Sequence, residues 1–166
     1  MPGDIPLVHL ERQTAAEPML ALPKLDGWAY GEPKESSLVR GMVFNEALRA
    51  DEFTPNVVVT LENLTETVGT PRQAIDFEKT AITDNVGPLD TESPGTVCGY
   101  PSTTITYVLQ GRPVSGLIVA ARDSGDRVWA ATVSMQTTRP DNPDYLSAKR
   151  TFFDGFQFGL PDPRTA

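Results

Sequence analysis

The chain has 166 residues, 39% of them hydrophobic and 22% charged, which suits one domain whose core needs neither disulfide nor metal. Its 22 acidic and 14 basic residues give a formal charge of −8, and no basic run exceeds Lys149-Arg150, so phosphate backbones and anionic membrane surfaces are disfavoured partners. The lone Cys98 excludes an internal disulfide, and no apolar run reaches the roughly 18 residues of a membrane span.

Residues 1–19 read as an extended arm, because Pro2, Gly3, Pro6 and Pro18 punctuate it and residues before proline avoid the α region. The opening Met1-Pro-Gly-Asp-Ile5 has no basic region and no apolar stretch of a signal peptide. The cell envelope follows as the location if a signal was removed, the cytoplasm if Met1 is native. Met19–Leu22 predicts an edge strand, and Asp26-Gly27 a turn that delivers Trp28 and Tyr30 to the end of a core. Ser37–Phe44 predicts a strand, and the unbroken apolar run Asn56–Leu61 a central strand covered on both faces.

Thr70-Pro71-Arg-Gln73 opens a helix: a side-chain cap, proline at the first position and a capping-box glutamine. Ala74, Phe77 and Ala81 recur at helical spacing beside Ile75 and Ile82, leaving Asp76, Glu78 and Lys79 to water, and Asn85-Val-Gly87-Pro88 stops the helix. Ser93-Pro94-Gly95 and Gly99-Tyr100-Pro101-Ser102 both read as turns. Residues 102–138 alternate as a three-stranded antiparallel meander with turns at Gln110-Gly111 and Asp123–Asp126. Asp141-Asn142-Pro143 starts a last helix whose Tyr145, Ala148, Phe152 and Phe156 must dock on the sheet, joined by Leu146 and Phe153. Residues 20–158 thus form one α+β domain, an antiparallel β-sheet flanked by helices, and 159–166 a frayed tail.

Three short motifs are more specific: Pro23-Lys-Leu-Asp-Gly27-Trp28, then Gly99-Tyr100-Pro101-Ser102, then a strand closing on Leu109-Gln-Gly111-Arg112. With the helix after Leu64 and the ending Phe152-Phe153-Asp-Gly-Phe156, this set resembles the LpqN/LpqT-type lipoproteins of the mycobacterial cell envelope over residues 20–158. The resemblance implies a PsbP-like α+β fold and an envelope accessory or binding role, with no family-wide catalytic residues to carry over. Its partner would be a protein or a lipid or glycolipid of the envelope. The chain departs from the pattern at its front, where neither a signal nor a lipobox cysteine is present, so a lipid anchor would lie outside this sequence.

Residues that could carry chemistry are sparse. His9, the only histidine, sits on the arm, far in sequence from Cys98 and Ser102, so no Ser-His or Cys-His couple is written in the chain. Cys98 lies between Val97 and Gly99 without a cationic neighbour that would favour a thiolate, and reads as a small part-buried thiol. Tyr100-Pro-Ser102-Thr-Thr is not a nucleophile elbow. One Cys and one His cannot make a zinc site, and Asp123–Asp126 lacks the later glutamate of a calcium loop, so neither metal nor cofactor is expected. Asp51/Glu52 and Glu62/Glu66 could in principle form an acid/base pair, but chance supplies such pairs in an acidic chain. What remains is a ligand or partner surface at Trp28, Tyr100, Ser102 and Trp129, where aromatics flank the turns. A binding protein is therefore expected ahead of an intracellular interaction module, and a hydrolase on Ser102 or Cys98 last.

Overall fold

The computed structural model describes residues 5–32 and 38–161. Along the chain come β1 (Leu7–His9), β2 (Met19–Pro23), β3 (Ala29–Gly31), β4 (Val39–Phe44) and β5 (Asn56–Asn63). Helix α1 (Pro71–Asn85) follows, then β6 (Thr91–Val97), β7 (Tyr100–Leu109), β8 (Arg112–Arg122) and β9 (Val128–Gln136). Helix α2 (Pro143–Gly155) and β10 (Gln157–Gly159) end the described chain. A seven-stranded antiparallel sheet runs in the order β3-β4-β5-β9-β8-β7-β6, and a three-stranded sheet in the order β1-β2-β10.

The helix starts follow from their caps. Thr70 Oγ1 accepts from Gln73 N at 3.1 Å while Gln73 Oε1 accepts from Thr70 N at 3.2 Å, a reciprocal box ahead of Pro71. Asn142 Oδ1 takes the N–H groups of Asp144 and Tyr145 at 2.8 and 3.2 Å, ahead of Pro143.

Strand alternation sends two sets of side chains to opposite faces of the large sheet. Val57, Val59, Leu117, Val119, Trp129, Ala131, Val133 and Met135 form one cluster with Tyr145, Ala148 and Phe152 of α2. Leu20 and Leu22 of β2 and Phe158 of β10 complete it. On the other face Ile105, Val114, Ile118, Ala120 and Ala130 pack with Ala74 and Ile75 of α1. The molecule is thus layered: α1, the large sheet, then α2 beside the small sheet.

Several local expectations change. Met19–Leu22 is not an edge but the middle strand of the small sheet, because the arm itself pairs with it: Val8 opposes Leu22 and His9 opposes Ala21. Ser93-Pro94-Gly95 is no turn; it lies inside β6, an edge strand, where proline forfeits no ladder bond. The turn falls instead at Cys98-Gly99, whose φ values of 53° and 86° are those of a two-residue hairpin, and Tyr100 already belongs to β7. β5 is central, but Val58, Thr60 and Glu62 are only half-buried, since α1 packs mainly on β7 to β9 and reaches β5 through the Glu78 side chain. Phe77 and Leu146, assigned to apolar faces, are exposed at 36% and 37%. Glu78, assigned to water, is half-buried. Ser37 lies outside the described residues.

A β-bulge between Val39 and Gly41 swings Arg40 inward. Its guanidinium holds Glu17 through Nε to Oε1 at 3.0 Å and a second nitrogen to Oε2 at 3.3 Å, both side chains buried. This pair fastens the arm to the large sheet. Among the described residues no helix is long and apolar enough to cross a membrane.

Candidate functional site

Helix α2 covers the middle of its face of the sheet and leaves the β6–β7 margin open. The register fixes what lines that margin. Ser93 opposes Thr104, which opposes Leu117; Gly95 opposes Ser102, which opposes Val119; Thr91 opposes Thr106, which opposes Ser115. Leu117 and Val119 belong to the α2-side core, so these hydroxyls share its face. The outcome is a groove of about 590 Å³ with a floor of Ser93, Gly95, Ser102 and Thr104. Phe153, Asp154 and Gln157 form the opposite wall. Beyond the groove on the same face, the hydroxyls of Thr91 and Thr106 bond each other at 2.6 Å, and Lys149 Nζ donates to Ser115 Oγ at 3.4 Å. Asp154 and Thr104 are exposed, Phe153 is half-buried and Ser102 buried.

Cys98 closes one end of the groove. It is exposed rather than part-buried, because the hairpin turn thrusts it out, and its thiol points to Gln157 Oε1 at 3.7 Å. His9 lies on the same outer face of the small sheet as Gln157, with Ala21 between them in the register. Two strand spacings, about 10 Å, separate the His9 and Gln157 backbones. The amide of Gln157, not the imidazole, is what meets the thiol.

The four residues expected to form one surface separate. Ser102 lines the groove. Tyr100, half-buried, packs edge-on against Phe158 at 5.3 Å between ring centroids. Trp28 is buried and edge-on to Phe152 at 5.2 Å, so its ring belongs to the core. Trp129 is buried too; its Nε1–H donates to Asp123 Oδ2 at 3.2 Å, at the opposite end of β9 from the α2 cap. Burial pushes the Asp123 carboxyl up. Hydrogen bonds from the Arg127 side chain and backbone, Trp129 and Gly125 outweigh that and hold it below the ordinary carboxylate range. Trp129 edges a smaller cavity of about 430 Å³ shared with Glu17, Arg40, Glu62 and Arg127.

Sequence spacing also missed one carboxylate contact. Glu62 meets Glu78 of α1 rather than Glu66, and burial together with that neighbour pushes the Glu78 carboxyl up to about 8. Asp51 and Glu52 occupy the tip of a turn with φ of 52° and 63°, where Asp51 pairs with Arg139.

No family model and no curated protein sequence matches the chain, so the likeness to known proteins lies in three dimensions. The structure of LpqN, described as involved in cell envelope biogenesis of Mycobacterium tuberculosis, superposes with a TM-score of 0.71. The match covers 94% of this chain and 92% of that one at 16% identity. The fold is LpqN-like. A point mutant of the protein Mog1 superposes with a TM-score of 0.55 at 12% identity, covering 96% of this chain and 98% of that one. Element order and layering therefore follow the LpqN-like, PsbP-like arrangement that the sequence motifs pointed to.

Proposed function

We propose that this chain is a non-enzymatic accessory protein of the actinobacterial cell envelope that binds a protein partner in the groove between the β6–β7 hairpin and the end of α2. The observation that carries the reading is the groove itself: an open, hydroxyl-floored face beside an exposed carboxylate and a phenyl ring. Such a surface offers donors, acceptors and one apolar contact to a polar segment laid across it. The layer between the large sheet and α2 is filled by Trp28, Phe152, Phe156 and Phe158, which favours a partner bound on the surface over a lipid held inside. The LpqN-like fold supports the envelope setting, and the Cys98 thiol pointing to the Gln157 amide rather than to an imidazole supports a binding role over hydrolysis.

Native mass spectrometry of the chain purified gently from an actinobacterial host tests this, alongside a Thr104→Trp variant that fills the groove from an exposed floor position. A co-purifying protein that Thr104→Trp loses supports the reading. A co-purifying lipid or glycolipid kept by both forms replaces it with a carrier role. A hydrolytic activity abolished by Ser102→Ala or Cys98→Ala overturns it.

A further inference from the structure

Helix α1 lies over β7, β8 and β9, and adjacent residues of its middle turn reach charged groups beyond them on both flanks. Toward β6, Lys79 Nζ meets Glu92 Oε2 at 2.7 Å and Asp76 Oδ1 at 3.5 Å. Toward β5, Glu78 meets Glu62. The register places this second contact. Glu62 opposes Ala130, Ala130 packs in one cluster with Ala74 and Ile75, and Glu78 follows Ala74 by one helical turn. β5 and β6 stand four positions apart in the sheet, about 19 Å. The helix is therefore held from both sides, by an ion pair on one flank and by two acids on the other.

We propose that the Glu62–Glu78 contact is a proton-operated latch: with one proton between the carboxyls it holds the flank of α1 on β5, and with both ionised it lets that flank lift from the sheet. A protonated carboxyl donates its O–H to the other carboxylate, whereas two carboxylates can only accept and repel. The half-buried site retains its proton well above the usual carboxylate range, with Glu78 held up to about 8 by burial and then by Glu62.

The surrounding charges are engaged elsewhere. On α1 and β6, Lys79 is shared by Glu92 and Asp76. Glu62 also borders the cavity of Glu17, Arg40 and Arg127, where Arg40 holds Glu17 and Arg127 holds Asp123. From β8, Arg112 stacks on Phe53 and Arg122 pairs with Asp126. From β7, Tyr107 faces α1 with its phenol pushed up by burial, and the residues of β9 on this face are uncharged. Arg72 and Asp84 of α1 are exposed. Lifting the flank uncovers apolar side chains such as Ile118 and Ala130.

The sign follows from the two forms. In the lifted form Glu78 returns toward the ordinary value of 4.5, while the latched form keeps its proton until about 8. Between those limits the latched form binds the extra proton, so opening grows by up to about tenfold per pH unit and levels off above them. Acid closes the latch.

Amide hydrogen exchange on the full chain tests this from pH 5.5 to 9, as protection factors normalised to the intrinsic rate at each pH. α1 protection is expected to fall by up to about tenfold per pH unit and flatten above about pH 8, while β8 and β9 stay constant. Glu78→Gln and Glu62→Gln, either of which suffices if the other folds poorly, should each remove the pH dependence. Lys79→Met should lower α1 protection without changing its slope. Equal slopes in wild type and both glutamine variants, or a pH-independent α1 in wild type, would overturn the latch.

Discussion

The two faces of the large sheet are built from the same strands and are packed differently. The α2 face is filled with large side chains: Trp28, Met135, Tyr145, Phe152, Phe156 and Phe158 are all buried. The α1 face holds mainly small or branched ones, and α1 itself buries only Ala74 and Ile75. At roughly 1.5–3 kcal/mol per large apolar side chain removed from water, the α2 face supplies most of the cohesion. It also receives the small sheet, and through Glu17 and Arg40 the arm. The α1 layer adds less cohesion and carries the half-buried acids Glu62 and Glu78.

The comparison breaks most readily at Phe152. Phe152→Ala empties a fully buried ring site and should destabilise the fold by about 3–5 kcal/mol in urea unfolding. Glu17→Ala on the same side removes a buried carboxylate that Arg40 bonds through two nitrogens, and should cost about 3 kcal/mol. Ile75→Ala, the counterpart on the α1 face, is expected at the low end for such truncations, about 2 kcal/mol. Equal losses at Phe152 and Ile75 would show that the two layers contribute alike. Gly155→Ala probes the α2 side from the opposite direction. A Cβ there would lie 2.5 Å from Pro23 Cγ, so α2 must back away from β2 at about 1–3 kcal/mol.

What the sequence revealed and what it hid divide along the same line. The meander, both capped helices and the aromatic stripe of α2 were legible because each is governed by neighbours within a few residues: Thr70 with Gln73, Asn142 with Tyr145, Trp129 alternating to Met135. Pro94 misled, since a proline signals a turn unless its strand is an edge, and edge position is decided by the whole sheet. Trp28 was legible as a core ring following a turn, but its partner was not: it packs edge-on to Phe152, far along the chain. Of the candidate site, Ser102 was legible, whereas the hydroxyl floor needed the register that aligns Ser93 with Thr104 and Gly95 with Ser102. Glu78 looked solvated because helical periodicity places a residue on a face and says nothing about which strand stands beneath it.

The smallest expected effect sharpens the contrast at the helix starts. Both helices have a side-chain cap and proline at the first position, so local capping energies should be nearly equal. Thr70→Ala and Asn142→Ala should each cost about 1 kcal/mol globally. Their local consequences should differ. α2 is pinned by Tyr145 one turn from its cap, so losing Asn142 should leave its exchange protection close to the global value. α1 has Ala74 and Ile75 as its only fully buried anchors, so losing Thr70 should fray its first turn and lower protection there well below that of β8. Hydrogen exchange on the two variants reads both numbers. Similar local fraying in α1 and α2 would mean that the thinner packing beneath α1 does not govern how freely that helix opens.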